Sequence, residues 1–175
     1  MKKIISILFV SALFTVSAHA GGMIGIKYGN GELEGTKNSY TAGSNTYSAQ
    51  TKSENNEFGA IFAEVNLPDH PVSLGVEYIP FTATVTVDGN SSDSHLELSD
   101  HTTIYALLSK DVAGGEASAY FKVGYAMADI GNVTANYGTT TVNSHDSSLE
   151  GPMIGIGVQS QSFGPGLVAR VEATM

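Results

Sequence analysis

Residues 120–129 read Tyr-Phe-Lys-Val-Gly-Tyr-Ala-Met-Ala-Asp, and Phe121, Val123, Tyr125 and Met127 fall on one parity while Lys122 and Gly124 fall on the other. Successive side chains of a β-strand point to opposite faces, so this segment is greasy on one side and polar or small on the other. Six further segments share the pattern. Beyond the first twenty residues no run approaches the 18 consecutive apolar residues of a membrane helix. If such a chain crosses a membrane, a closed sheet is the only route, because every backbone polar group in lipid must be paired.

The N-terminus reads as an address. Met1-Lys2-Lys3 is a positive start, residues 4–16 are apolar apart from Ser6, Ser11 and Thr15, and Ala18-His19-Ala20 is an A-x-A cleavage site. The run is short for a membrane span, which disfavours a retained anchor. Residues 1–20 are therefore expected to be a cleaved signal peptide and 21–175 a single exported domain. Without Lys2 and Lys3 the chain holds 6 basic against 17 acidic residues, a net charge of −11. That balance argues against nucleic acid and against attachment to anionic lipid. With no cysteine there is no disulfide framework.

The alternation predicts strands over residues 23–33, 57–67, 72–81, 102–110, 120–129, 153–160 and 166–174. The second is ambiguous in its facing, since Ile61, Ala63, Val65 and Leu67 oppose Phe58, Phe62 and Glu64. Leu107 similarly blurs the fourth. Between them lie polar stretches at 34–56, 88–100 and 131–150, and short connections at Pro68-Asp69-His70-Pro71, around Gly114-Gly115 and at 161–165. The connections thus alternate long and short without exception. Outer-membrane barrels have this rhythm, with long outer loops and short periplasmic turns.

The expected fold is an all-β, antiparallel, up-and-down transmembrane β-barrel with seven strands present of an expected eight. Bacterial single-chain barrels have an even strand number, so the count predicts a domain incomplete at its C-terminus. The chain resembles the small eight-stranded outer-membrane barrels of the outer membrane protein A and opacity-protein type over roughly residues 21–175. The likeness rests on the signal peptide, the loop rhythm and segments such as Leu74-Gly75-Val76-Glu77-Tyr78 and Phe121-Lys122-Val123-Gly124-Tyr125. It implies residence in the outer membrane of a Gram-negative-type cell, contact with outer-membrane lipid, and assembly by the barrel-assembly machinery. Members usually end on an aromatic residue, whereas this chain ends Glu172-Ala173-Thr174-Met175.

With the apolar rows toward lipid, Lys27, Glu77, Lys122, Arg170 and Glu172 face the lumen. An eight-stranded interior is just wide enough for side chains to fill, so these charges are expected to pair in a polar network rather than line an open pore. Glycines at 25, 29, 75, 124, 155 and 157 leave room for them. Tyr28, Tyr78, Phe121 and Tyr125, with Phe81 and Phe163, are candidates for the aromatic girdles at the two interfaces.

Nothing in the sequence assembles a metal, cofactor or catalytic site. His70, His95, His101 and His145 have no ligand spacing and are expected in a turn and loops. Asp88-Gly89-Asn90-Ser91-Ser92-Asp93 lacks the spaced ligands of an EF-hand. Some eight-stranded barrels modify lipid A with a lipid-facing His and Ser. Here His101 and Ser109 lie about 27 Å apart along one strand at 3.4 Å per residue.

Two functional classes follow, neither enzymatic. The favoured one is a non-catalytic barrel with a plugged polar lumen, serving envelope integrity or surface interaction through acidic outer loops whose ligand is unspecified. The alternative is a soluble periplasmic β-barrel that turns the same greasy faces inward around a small apolar ligand. A lipid-modifying enzyme and a narrow pore rank below both.

Overall fold

The computed structural model describes residues 8–18, 21–37, 39–42, 44–87, 94–131, 133–137, 140–144, 147–162 and 167–175. Among them are thirteen strands: β1 (Leu8–Ala18), β2 (Gly22–Lys37), β3 (Tyr40–Ala42), β4 (Asn45–Tyr47), β5 (Gln50–Asn66), β6 (Val72–Ile79), β7 (Ala83–Val87), β8 (Ser94–Val112), β9 (Ala117–Ile130), β10 (Val133–Tyr137), β11 (Thr140–Ser144), β12 (Ser147–Ser160) and β13 (Leu167–Thr174). The seven expected segments correspond to β2, β5, β6, β8, β9, β12 and β13. All pair antiparallel with their neighbours in chain order, which makes one curled up-and-down sheet.

β1 lies between the first and last of these. Leu8 to Ala18 pair with Glu32 down to Gly22 of β2, and Phe9 to Val16 pair with Thr174 down to Leu167 of β13. The pairings then run in a circuit, β1-β2-β5-β6-β8-β9-β12-β13 and back to β1. The stretch with the apolar pattern of a leader thus occupies a strand position in the sheet.

Several strands outrun the sequence expectation. Residues 34–37 and 50–56 continue the β2–β5 ladder to Lys37–Gln50, and β8 starts at Ser94 rather than near Thr102. The polar stretches are largely hairpins, with β3–β4 and β10–β11 as further short ladders. Backbone pairing thus persists through stretches whose residue types show no apolar alternation.

The short connections follow from local chemistry. Asp69 adopts φ 62° between Pro68 and Pro71, and Leu67 N–H donates to the Val72 carbonyl at 2.9 Å. Gly114 and Gly115 take φ 70° and 96° between β8 and β9, a region open to glycine without steric penalty. Within β8 the register against β9 shifts between Ser99 and Thr102. Asp100 sits in that shift with φ 49°, a conformation that Asp adopts more readily than most residues.

Candidate functional site

Each strand contributes one row inward and one outward. On β2 Met23, Lys27 and Leu33 are buried while Ile24, Ile26 and Tyr28 are about 60 % exposed. β12 and β13 repeat this with Ile156 and Val171 outward against Met153 and Glu172 inward. The ambiguous rows of the sequence settle as follows. Phe58, Phe62 and Glu64 of β5 point inward, as do Tyr105 and Leu107 of β8.

Inside, six charges pair. Lys27 Nζ donates to Glu77 at 3.1 Å and to Glu172 at 2.9 Å; Lys122 Nζ donates to the same two carboxylates at 3.1 and 3.0 Å. These four side chains come from β2, β6, β9 and β13 and form a two-by-two lattice with each ammonium between both carboxylates. The fifth expected member, Arg170, does not join them. Its guanidinium grips Glu64 of β5 with two 2.6 Å hydrogen bonds and also donates to Gln159. Lys27, Lys122 and Arg170 offset Glu64, Glu77 and Glu172, so these six formal charges sum to zero.

Aromatic groups bind the two clusters together. Tyr105 donates its hydroxyl to Glu64 at 2.8 Å, and Lys122 Nζ sits 3.9 Å from the centre of its ring. The Tyr120 hydroxyl donates to Glu172 at 3.0 Å, and its ring lies 5.4 Å from the Arg170 guanidinium. Glu64 and Glu172 thereby gain a hydroxyl donor beyond their ion pairs, and Glu77 is held by both ammonium groups, which offsets the desolvation of burying them. Lys122, Glu172 and Thr103 are the largest side chains here that are sealed from solvent.

Two glycines make this density attainable. A Cβ at Gly75 would collide with the Tyr105 ring, and one at Gly157 with the Tyr120 ring and hydroxyl. Apolar layers close both ends of the polar zone. Met23, Phe62 and Val168 cluster toward the short turns, and Leu33, Leu98 and Ala128 toward the long connections. Between these layers the six charged groups and the Tyr105 and Tyr120 hydroxyls satisfy one another.

On the outside, Phe121 and Tyr125 are each 45 % exposed, and Tyr28 and Tyr78 lie in the same outward set. Three of these tyrosines carry an acidic partner from the next strand. Tyr28 bonds Glu57, Tyr78 donates to Asp100, and Tyr125 bonds Glu150. Phe81 is exposed, while Phe163 falls outside the described residues.

One histidine departs from expectation. His101 sits within β8, register-paired with buried Ile79, and not in a loop. Ser109 occupies the same inward row, paired with buried Tyr120, so neither residue lies on the outward face. His95 also belongs to β8, His70 is in the turn before β6, and His145 lies outside the described residues. Among the described residues, no group of three or more acidic, His or Cys side chains is arranged to hold a metal ion.

Sequence reasoning missed Glu64, the partner that Arg170 requires. It shares a row with Phe58 and Phe62, two aromatics that left the facing of that row ambiguous. No protein-family model, curated protein or solved structure matches this chain.

Proposed function

We propose that the chain is a non-catalytic outer-membrane β-barrel of the outer membrane protein A and opacity-protein type. In this reading its lumen is plugged by paired charges, and it serves envelope integrity or surface interaction through acidic outer connections. One observation carries the reading. The six paired charges point inward, and the outward rows are rich in Ile, Val, Leu, Phe and Tyr on strand after strand. In water that outer surface would be one continuous apolar patch, far beyond what soluble monomers tolerate. In lipid it is the expected apolar band, with tyrosines toward its edge.

The same observation weighs against a soluble ligand-binding barrel, which needs its greasy faces inside. Export through a cleaved leader over residues 1–20, contact with outer-membrane lipid and assembly by the barrel-assembly machinery belong to the proposal. Cleavage after Ala20 would vacate the strand position between β2 and β13. Two unpaired edges are not sustainable in lipid, so another strand must then fill that place.

Fractionation of cells producing the chain, with heated and unheated gel samples, tests the proposal. Recovery in the outer membrane with heat-dependent mobility is expected. Recovery in the soluble periplasm without a mobility change would overturn it.

A further inference from the structure

The wall of the sheet is not uniformly laddered. β5 and β6 pair from Asn66–Ser73 up to Ile61–Tyr78, and the pairing ends there. β6 stops at Ile79 and is followed by Pro80, which has no N–H to extend the ladder. The chain resumes as β7, which pairs with β8 but not with β5. β5 meanwhile continues outward to Gln50 in register with β2. Beyond Ile61 the described link between β5 and β7 is a side-chain one, with Thr86 N–H donating to Glu54 at 3.4 Å.

A pocket opens at this break. It spans about 570 Å³ when the space open to solvent is included. Its walls are Leu33, Phe58, Ile79, Ala83 and Leu98, with Phe81 at the rim. The Phe81 ring rests against Gly59, where an added Cβ would stand 3.0 Å from a ring carbon. Polar groups are few. Asn56 Nδ2 is buried with no hydrogen-bond partner among the described residues. The pocket is also lined by Glu32, Glu57 and His101.

We propose that this break is a lateral binding site for a neutral single-chain amphiphile, an aliphatic alcohol, ketone or ester. The chain would lie among Leu33, Phe58, Ile79 and Leu98, and its oxygen would accept the Asn56 Nδ2–H. Buried donors left unpaired are costly, so an acceptor at that point is favoured over a plain hydrocarbon. Glu32 and Glu57 oppose an anionic head group, and a cationic one offers Nδ2 no acceptor. Drawing the ligand sideways from the outer leaflet rests on the membrane reading above.

The full chain in lipid nanodiscs, first checked for heat-dependent mobility, is titrated with 1-decanol, decanoate or decylammonium while backbone amide shifts are followed. Saturable shifts at Asn56, Gly59, Ile79 and Phe81 are expected with decanol, and at least tenfold weaker binding of both ions. Asn56→Leu should weaken decanol at least tenfold and keep the heat-dependent mobility. Absence of saturation in a heat-shifting wild type, or ion binding as tight as decanol, would overturn the site. A wild type lacking the mobility change overturns the membrane reading instead, and with it the leaflet as the ligand's source.

Discussion

Arg170 and Glu64 stand 106 residues apart in sequence and meet through two parallel 2.6 Å hydrogen bonds, Nη1 to Oε1 and Nη2 to Oε2. The planar fork matches the carboxylate in a way that no ammonium can. Arg170→Met would leave Glu64 buried with only Tyr105 as donor, and should destabilise the fold by about 3–5 kcal/mol. Arg170→Lys, which keeps the charge and loses the fork, should fall between this variant and wild type. Urea unfolding in lipid vesicles, read by gel mobility, ranks the three.

The two-by-two lattice predicts strong non-additivity. Lys122→Met strips one ammonium from between Glu77 and Glu172, and Glu172→Gln removes a carboxylate shared by both lysines. Each single change should cost about 3–5 kcal/mol, whereas the double variant should lose clearly less than the sum. Strict additivity in a double-mutant cycle would mean that the four groups act independently.

Tight interior contacts make a steric prediction. Gly75→Ala drives a methyl into the Tyr105 ring and should destabilise by about 1–3 kcal/mol. Combining it with Tyr105→Leu should recover part of the Gly75→Ala loss relative to Tyr105→Leu alone. Denaturation midpoints of the four chains check this.

Outward positions separate lipid from water as the surrounding medium. Ile156→Arg lies in the middle of the apolar row of β12, and at a bilayer midplane should cost about 2–4 kcal/mol. Thr102→Arg, near the edge of the corresponding row of β8, should cost about 0–1 kcal/mol. Equal and negligible effects of the two in vesicle refolding would place both side chains in water.

The rows that were legible in sequence are those whose opposite face is cleanly apolar. Lys27 stands out between Ile26 and Tyr28, and Lys122 between Phe121 and Val123. Glu64 was obscured because an eight-stranded interior also takes up large aromatics, and Phe58 and Phe62 share its row. The strand extensions at 34–37 and 50–56 were illegible for a different reason. Residues 34–37 and 50–56 hold no apolar side chain, so the residue types carry no alternation from which the backbone pairing could be read. The wall break at Pro80 needed the partner strands. The expected strand over 72–81 ran through Pro80, whereas β6 ends at Ile79, and nothing local to Pro80 says that β5 continues past it.

The Tyr28, Tyr78 and Tyr125 hydroxyls, each tied to a carboxylate on the adjoining strand, fix one edge of the outward apolar surface. On β8 that surface comprises Ile104, Ala106 and Leu108, bounded by Thr102 and Lys110. Eight residue steps amount to about 27 Å along the strand, or about 20 Å along the membrane normal at a tilt of about 40°. The apolar band of outer-membrane barrels is about 25 Å tall, so this one falls several ångströms short. In the proposed membrane setting a surrounding bilayer would have to compress, and the mismatch would favour thin membranes over thick ones at a fraction of a kcal/mol per ångström.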